Sequence, residues 1–185
     1  MKSLNKEEDR VRMFITAKTV LASYGKLNRV IGEMNDLIEE AAVRSFYNLT
    51  PCAVQAERIC GMIERRNLLI DLKDKARKAL RKLSADDISI LAKKFGRNKE
   101  EMYLSKRAYF RRVNVALARF EKSLKSQGID EETFKKDYAG RIAFLAAKRH
   151  AVLSEEAVIA SRIKKMKPAC ISGVFREADG KVFKK

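Results

Sequence analysis

Large apolar residues recur through the first quarter of the chain at alternating steps of four and three. Met13, Ala17, Val20, Tyr24, Leu27, Ile31, Met34, Ile38 and Ala41 make one stripe on one helical face, about four heptads long. "LTPC" breaks the pattern: Thr50 can cap a new helix, and Pro51 suits a first turn. A second stripe follows through Ile59, Met62, Leu69, Leu72, Ala76, Ala79 and Leu83, interrupted near Arg65 and Arg66. Two amphipathic helices with a short connection predict an antiparallel hairpin. Its seam is expected either to pack within the chain or, as a coiled-coil arm, to make a homodimer through the Met13–Ala41 stripe.

Ser84 opens a third element. "SADD" places Asp87 three residues after a capping Ser, much like a capping box, and Gly96 is a natural stop. Ile88, Leu91, Ala92 and Phe95 are expected on its inner face. "RNKEEMY" leaves room for no more than a short helix or long turn. Ser105 then caps a helix that Gly128 ends. Asp130 should cap another, through Phe134, Tyr138, Ile142 and Leu145 to about His150. Ser154 should start a further helix, through Ala157, Val158 and Ile163 and closed by Pro168. The tail "ISGVFREADGKVFKK" is read as a small hairpin about Asp179-Gly180, as disordered, or as docking on a partner. The expected architecture is all-α. A helical hairpin fills 1–83, a compact unit 84–128, a C-terminal helical extension 129–167 and a basic tail 168–185.

Composition supports helices. Only two prolines, Pro51 and Pro168, and eight glycines interrupt 185 residues rich in Leu, Ala, Lys, Arg and Glu. At 46% apolar and 35% charged, the chain can build a core and a charged surface, unlike a disordered chain. The net charge of +17 favours a polyanion, either nucleic acid or an anionic membrane surface. Three cysteines without close pairing give neither a disulfide framework nor a zinc pattern. The start "MKSLNKEEDR" lacks an apolar signal core, and no apolar run is long enough to span a bilayer, so a cytoplasmic protein is expected. The sole histidine, His150, has no ligand-type neighbour, and "NLT" at Asn48–Thr50 is a chance glycosylation match. No phosphate-cradling glycine loop or nucleophile set appears, and Asp86-Asp87, Glu100-Glu101 and Glu155-Glu156 suit helix starts. No enzyme, cofactor or metal site is therefore expected.

The charge is most telling in residues 105–126. They hold seven Lys or Arg against one acid, Glu121. At about 100° per residue, Phe110, Val113, Leu117, Phe120 and Leu124 share one stripe. The opposite face carries Arg107, Ala108, Arg111, Arg112, Val115, Arg119 and Lys122. An α-helix fits the DNA major groove, its first turns reach base edges, and arginine pairs bidentately with guanine. Arg107, Ala108, Arg111 and Arg112 are the candidate base contacts. Ser105, Lys106, Tyr109, Asn114, Arg119 and Lys122 are the candidate backbone contacts. RNA is a rival polymer, since Tyr103 or Tyr109 could stack on a base. Membrane binding is disfavoured because the apolar stripe has a neighbouring helix to cover it and no Trp occurs.

"LSKRAYFRRVNVAL" resembles the recognition helix of the helix-turn-helix in the fourth region of bacterial sigma factors. It is closer still to sigma-factor-like and phage transcriptional regulators built on that unit. The residues that carry the resemblance are Ser105, Arg107, Tyr109, Phe110, Arg111, Arg112, Ala116 and Leu117. "KLSADDISILAKKFG" resembles the helix preceding that motif, so the likeness covers roughly residues 80–126. Ala108 stands where the family usually has Thr, and few residues separate Gly96 from Leu104 for the motif's first helix. Membership would imply binding of double-stranded promoter or operator DNA through residues 105–112, without catalysis, in contact with RNA polymerase. The alternative is a helical interaction or scaffold protein, RNA-associated or not, acting through its coiled-coil arm.

Overall fold

The computed structural model describes residues 13–45, 47, 51–96 and 105–174, with side chains to 159 and at 161. Every regular element among the described residues is a helix, with no strand, as the sequence pattern predicts. Helix α1 (Ile15–Ser45) and α2 (Cys52–Arg81) are followed by α3 (Ala85–Phe95) and α4 (Lys106–Lys125). A short α5 (Glu131–Thr133) runs into a π-helical turn (Phe134–Ala139), and α6 spans Ala143–Val174. Residues 14–150 form one compact unit, and the part of α6 from Ala151 onward belongs to another.

Within 14–150, α1 packs along α2 as an antiparallel hairpin, and α3 packs on α4. Helix α4 touches both hairpin helices, and the π turn closes on α2. One core results, with Val20, Leu27, Leu69, Leu72, Leu117, Phe120, Phe134 and Leu145 fully buried in a single cluster. The buried residues of α1 all lie at or before Leu27, and those of α2 at or after Leu69. The first part of the Met13–Ala41 stripe is thus consumed inside the chain. Ile31, Met34, Ile38 and Ala41 are only half-buried, and Met13 is exposed.

The caps explain where helices begin and end. Ser84 Oγ accepts from the Asp87 N–H at 3.2 Å, and Ser105 Oγ from the Ala108 N–H at 3.3 Å. Pro51, not Thr50, takes the capping position of α2, and Thr50 itself lies outside the described residues. Gly128 adopts φ +77° after α4, a conformation that favours glycine, and the Ile129 N–H reaches back to the Leu124 carbonyl at 3.1 Å.

Three expectations are corrected. Asp130 does cap a helix, its carboxylate accepting from the Thr133 N–H at 2.7 Å, but that helix does not run to His150. It widens into the π turn, where the Gly140 N–H bonds to the Lys135 carbonyl at 2.7 Å, and the chain restarts at Ala143. A Cβ at Gly140 would meet the Lys135 and Lys136 carbonyl oxygens at 2.9 Å, so glycine permits the close approach. Ser154 starts nothing, because it lies inside α6. Pro168 does not close the helix, which continues to Val174 and takes in the first residues of the tail expected to be non-helical. The hairpin expected about Asp179-Gly180 and the "RNKEEMY" turn lie outside the described residues.

Candidate nucleic-acid interface

The basic helix is anchored from within. Val113, Ala116, Leu117, Phe120 and Leu124 are buried along one side of α4. Ser123 Oγ donates to the Ala79 carbonyl at 3.2 Å, and Lys82 Nζ to Ser126 Oγ at 3.2 Å, tying the end of α4 to the end of α2. These contacts fix the helix in rotation about its axis, which decides what its outer face presents.

Phe110 departs from the expected stripe: it is 45% exposed, while Tyr109 is half-buried against the core. Helical geometry gives the reason. Counted from Val113 at about 100° per residue, Tyr109 lies about 40° away and Phe110 about 60° on the other side. The two rings meet edge to face with centroids 5.5 Å apart. Lys93 Nζ lies 6.0 Å from the Tyr109 ring centroid and Lys94 Nζ 5.7 Å from that of Phe110, so α3 lends two cations to this corner. Burial pushes the Tyr109 phenol above its ordinary value. Tyr109 is therefore partly built into the packed side of α4.

The inner face of α3 is also rotated from the expected one. Ile90 and Leu91 are buried, and Ile88 is 39% exposed. The place the pattern gave to Ile88 is taken by Asp87, which is 7% exposed. Arg119 Nη1 donates to Asp87 Oδ2 at 2.8 Å, joining α4 to the first turn of α3. Arg119, expected to meet phosphate, is held by this partner while its side chain stays 60% exposed.

Between these two helices lies an open groove of about 650 Å³. Arg107, Ala108, Arg111, Arg112, Val115 and Arg119 line it from α4, with Ser105 at its end. Ser84, Asp86, Asp87 and Ile90 line it from the α3 side. The four predicted base-contacting residues, Arg107, Ala108, Arg111 and Arg112, are thus brought together in one concavity. Arg107, Arg111 and Arg112 are exposed and have no carboxylate partner among the described residues. Glu121 pairs with Lys125 at 3.2 Å, so it does not neutralise that row. Lys106, Asn114 and Lys122 are exposed but outside the groove. The arrangement offers three guanidinium groups without carboxylate partners among the described residues and a fourth held in place, beside two acids of which one is already matched. Planar guanidinium groups so placed suit the oxygens of a phosphodiester or the O6 and N7 acceptors of a guanine edge.

Sequence reasoning missed Ser84, Asp86 and Asp87 as parts of this site. The signal was an acid placed on the apolar stripe of α3, which a capping role explained too readily. Among the described residues, no group of three or more Cys, His, Asp or Glu could hold a metal, and no helix is long and apolar enough to cross a membrane. No protein-family model, curated protein or solved structure matches the chain.

Proposed function

We propose that the chain is a DNA-binding transcriptional regulator of the helix-turn-helix kind, similar to the fourth region of sigma factors, with α4 as its reading helix. The observation that carries this reading is the row Arg107, Arg111 and Arg112. It stands exposed on the side of α4 opposite a fully buried anchor, without carboxylate partners among the described residues. Burial of Leu117, Phe120 and Leu124 fixes which way the row faces, so its charge is presented rather than averaged over a mobile surface. In this reading the first turns of α4 reach base edges, and Lys106, Asn114 and Lys122 meet phosphates. Arg119 contributes a fixed cation beside them. No chemistry is performed on the nucleic acid. RNA polymerase enters as a partner only through the resemblance of residues 80–126.

The test is a titration of the intact chain against random and genomic duplex DNA at several salt concentrations. Affinity should fall steeply with salt, with a log–log slope of roughly −0.9 for each phosphate neutralised. Arg107→Ala, Arg111→Ala and Arg112→Ala together should weaken binding and leave the helical circular-dichroism signal unchanged. Wild-type affinity in that triple variant would refute α4 as the reading helix. A preference for single-stranded RNA over duplex DNA would instead favour the RNA-associated alternative.

A further inference from the structure

We propose that the tip of the α1–α2 hairpin is a docking site for a second copy of this chain. The inference stands apart from the DNA-binding reading, since it uses none of the same residues.

Burial along the hairpin stops abruptly. No residue of α1 beyond Leu27 and none of α2 before Leu69 is fully buried. Over that distal half the described residues place no third layer on the two helices, and its seam residues, such as Met34, Ile59 and Met62, are only half-covered. Helical pairs reach a closed core by adding a further layer. The distal half also collects exposed apolar side chains. Of eleven exposed large hydrophobics among the described residues, four lie here: Leu37 at 54%, Val43 at 58%, Tyr47 at 85% and Val54 at 53%. Leu37, Ile59 and Met62 open into a groove of about 220 Å³ between the helices, with Glu40 and Arg58 also in its lining.

Charge identifies the occupant. Residues 33–66 hold four Arg, no Lys and six acids, a net −2 within a chain of +17. The basic excess that would attract a polyanion is absent from this segment, and the repulsion that keeps a +17 chain from its own kind is locally removed. The two helices also differ in sign. The α1 side carries Glu33, Asp36, Glu39 and Glu40 against Arg44, while the α2 side carries Arg58, Arg65 and Arg66 against Glu57 and Glu64. A two-fold axis sets α1 of one copy against α2 of the other, so each acidic face meets a basic one twice. The patch is therefore self-complementary in apolar surface and in charge, and the product would be a four-helix layer at the tip.

Sedimentation equilibrium of the full chain, stripped of nucleic acid in high salt, tests this over about 1 to 100 µM. The wild type should pass from 21.1 kDa toward twice that mass. Leu37→Glu combined with Val54→Glu should weaken self-association by about tenfold or more, because both side chains belong to the proposed contact. Arg58→Glu changes charge alone, and it should also weaken association, deciding the matter should the double variant lose helicity. A wild type that stays at 21.1 kDa throughout overturns the proposal. So does a dimer that folded variants leave intact. Loss of DNA binding without loss of the dimer, or the reverse, separates this inference from the preceding one.

Discussion

Arg119 and Asp87, 32 positions apart in sequence, meet at 2.8 Å and fasten the basic helix to the first turn of α3. The acid is almost covered, with its side chain 10% exposed, and the arginine is largely open at 60%. The pair therefore does two things. It fixes where α3 sits beneath α4, and it withdraws one cation from the groove's free charge. Asp87→Asn keeps the shape and removes the negative charge. Affinity for duplex DNA should rise, and the salt slope should steepen by about 0.9, since Arg119 is then free to meet a phosphate. Stability should fall by about 1 kcal/mol, discounted for the exposure of Arg119 and including the lost carboxylate at the helix start. Arg119→Ala should cost more, about 2 kcal/mol, because it strands a nearly buried carboxylate. Weaker DNA binding by Asp87→Asn would refute this account of the pair.

The groove arginines and the outlying lysine should differ in kind. Arg111→Ala should cost about 1–3 kcal/mol at one base pair and relax the preference there. Lys122→Ala should weaken all sequences alike and lower the salt slope by about one. A binding-site selection carried out with each variant distinguishes the two. Identical effects of both would mean that α4 binds as a charged rod and reads nothing.

Phe110 and Phe120 look equivalent in the hydropathy pattern and should behave unlike one another. Phe120 is fully buried in the shared core. Phe120→Ala should cost about 3–5 kcal/mol, the range for a large core ring lost without collapse of the site. Phe110→Ala should cost less than about 1 kcal/mol, since the ring is 45% exposed and gives up only the edge contact with Tyr109 and the approach of Lys94. Chemical denaturation of both variants, with attention to the midpoint, checks the contrast.

The same helix shows how far the sequence was legible. The α4 stripe from Val113 to Leu124, both serine caps, the hairpin and the glycine stop at Gly128 all follow from local chemistry, and all are present. Local rules failed where a distant partner chose the face. Ile88 yielded the inside of α3 to Asp87 because Arg119 neutralises that acid from another helix. Phe110 yielded to Tyr109 because, counted back from the buried Val113, Tyr109 lies nearer the centre of the stripe. The break before Ala143 was hidden because Phe134, Tyr138, Ile142 and Leu145 keep a helical spacing and are all buried, while the π turn makes up the angle between them. The clustering of Arg107, Arg111 and Arg112 was readable from spacing alone. The acids facing them across the groove were not, since their position depends on the α3–α4 crossing.

That π turn is held to α2 by a small polar cluster whose removal should be visible in pH. Tyr138 donates its hydroxyl proton to Asp71 Oδ2 at 2.6 Å, and Lys75 Nζ donates to the Tyr138 oxygen at 3.0 Å and to Asp71 at 2.8 Å. Burial by itself would raise the Asp71 carboxyl, but hydrogen bonds from Lys75 and Tyr138 outweigh it and hold the group below 3.8. Burial, then the bond to Asp71, pushes the Tyr138 phenol above 10.0. A depressed carboxyl contributes stability that is present above its unfolded value and lost as pH falls through the folded one. A raised phenol contributes stability that is present below its unfolded value and lost as pH climbs through the folded one. Tyr138→Phe deletes the hydroxyl and keeps the ring, which stacks on Phe134 at 6.0 Å. At neutral pH it should cost about 1–1.5 kcal/mol, the net value of hydrogen bonds to charged partners that stay partly solvated. The gap between wild type and variant should narrow below 3.8, as Asp71 takes its proton, and narrow again above 10.0, as Tyr138 loses its own. Urea denaturation at acid, neutral and alkaline pH measures that gap, and a gap unchanged across all three would show that the cluster carries no linked proton.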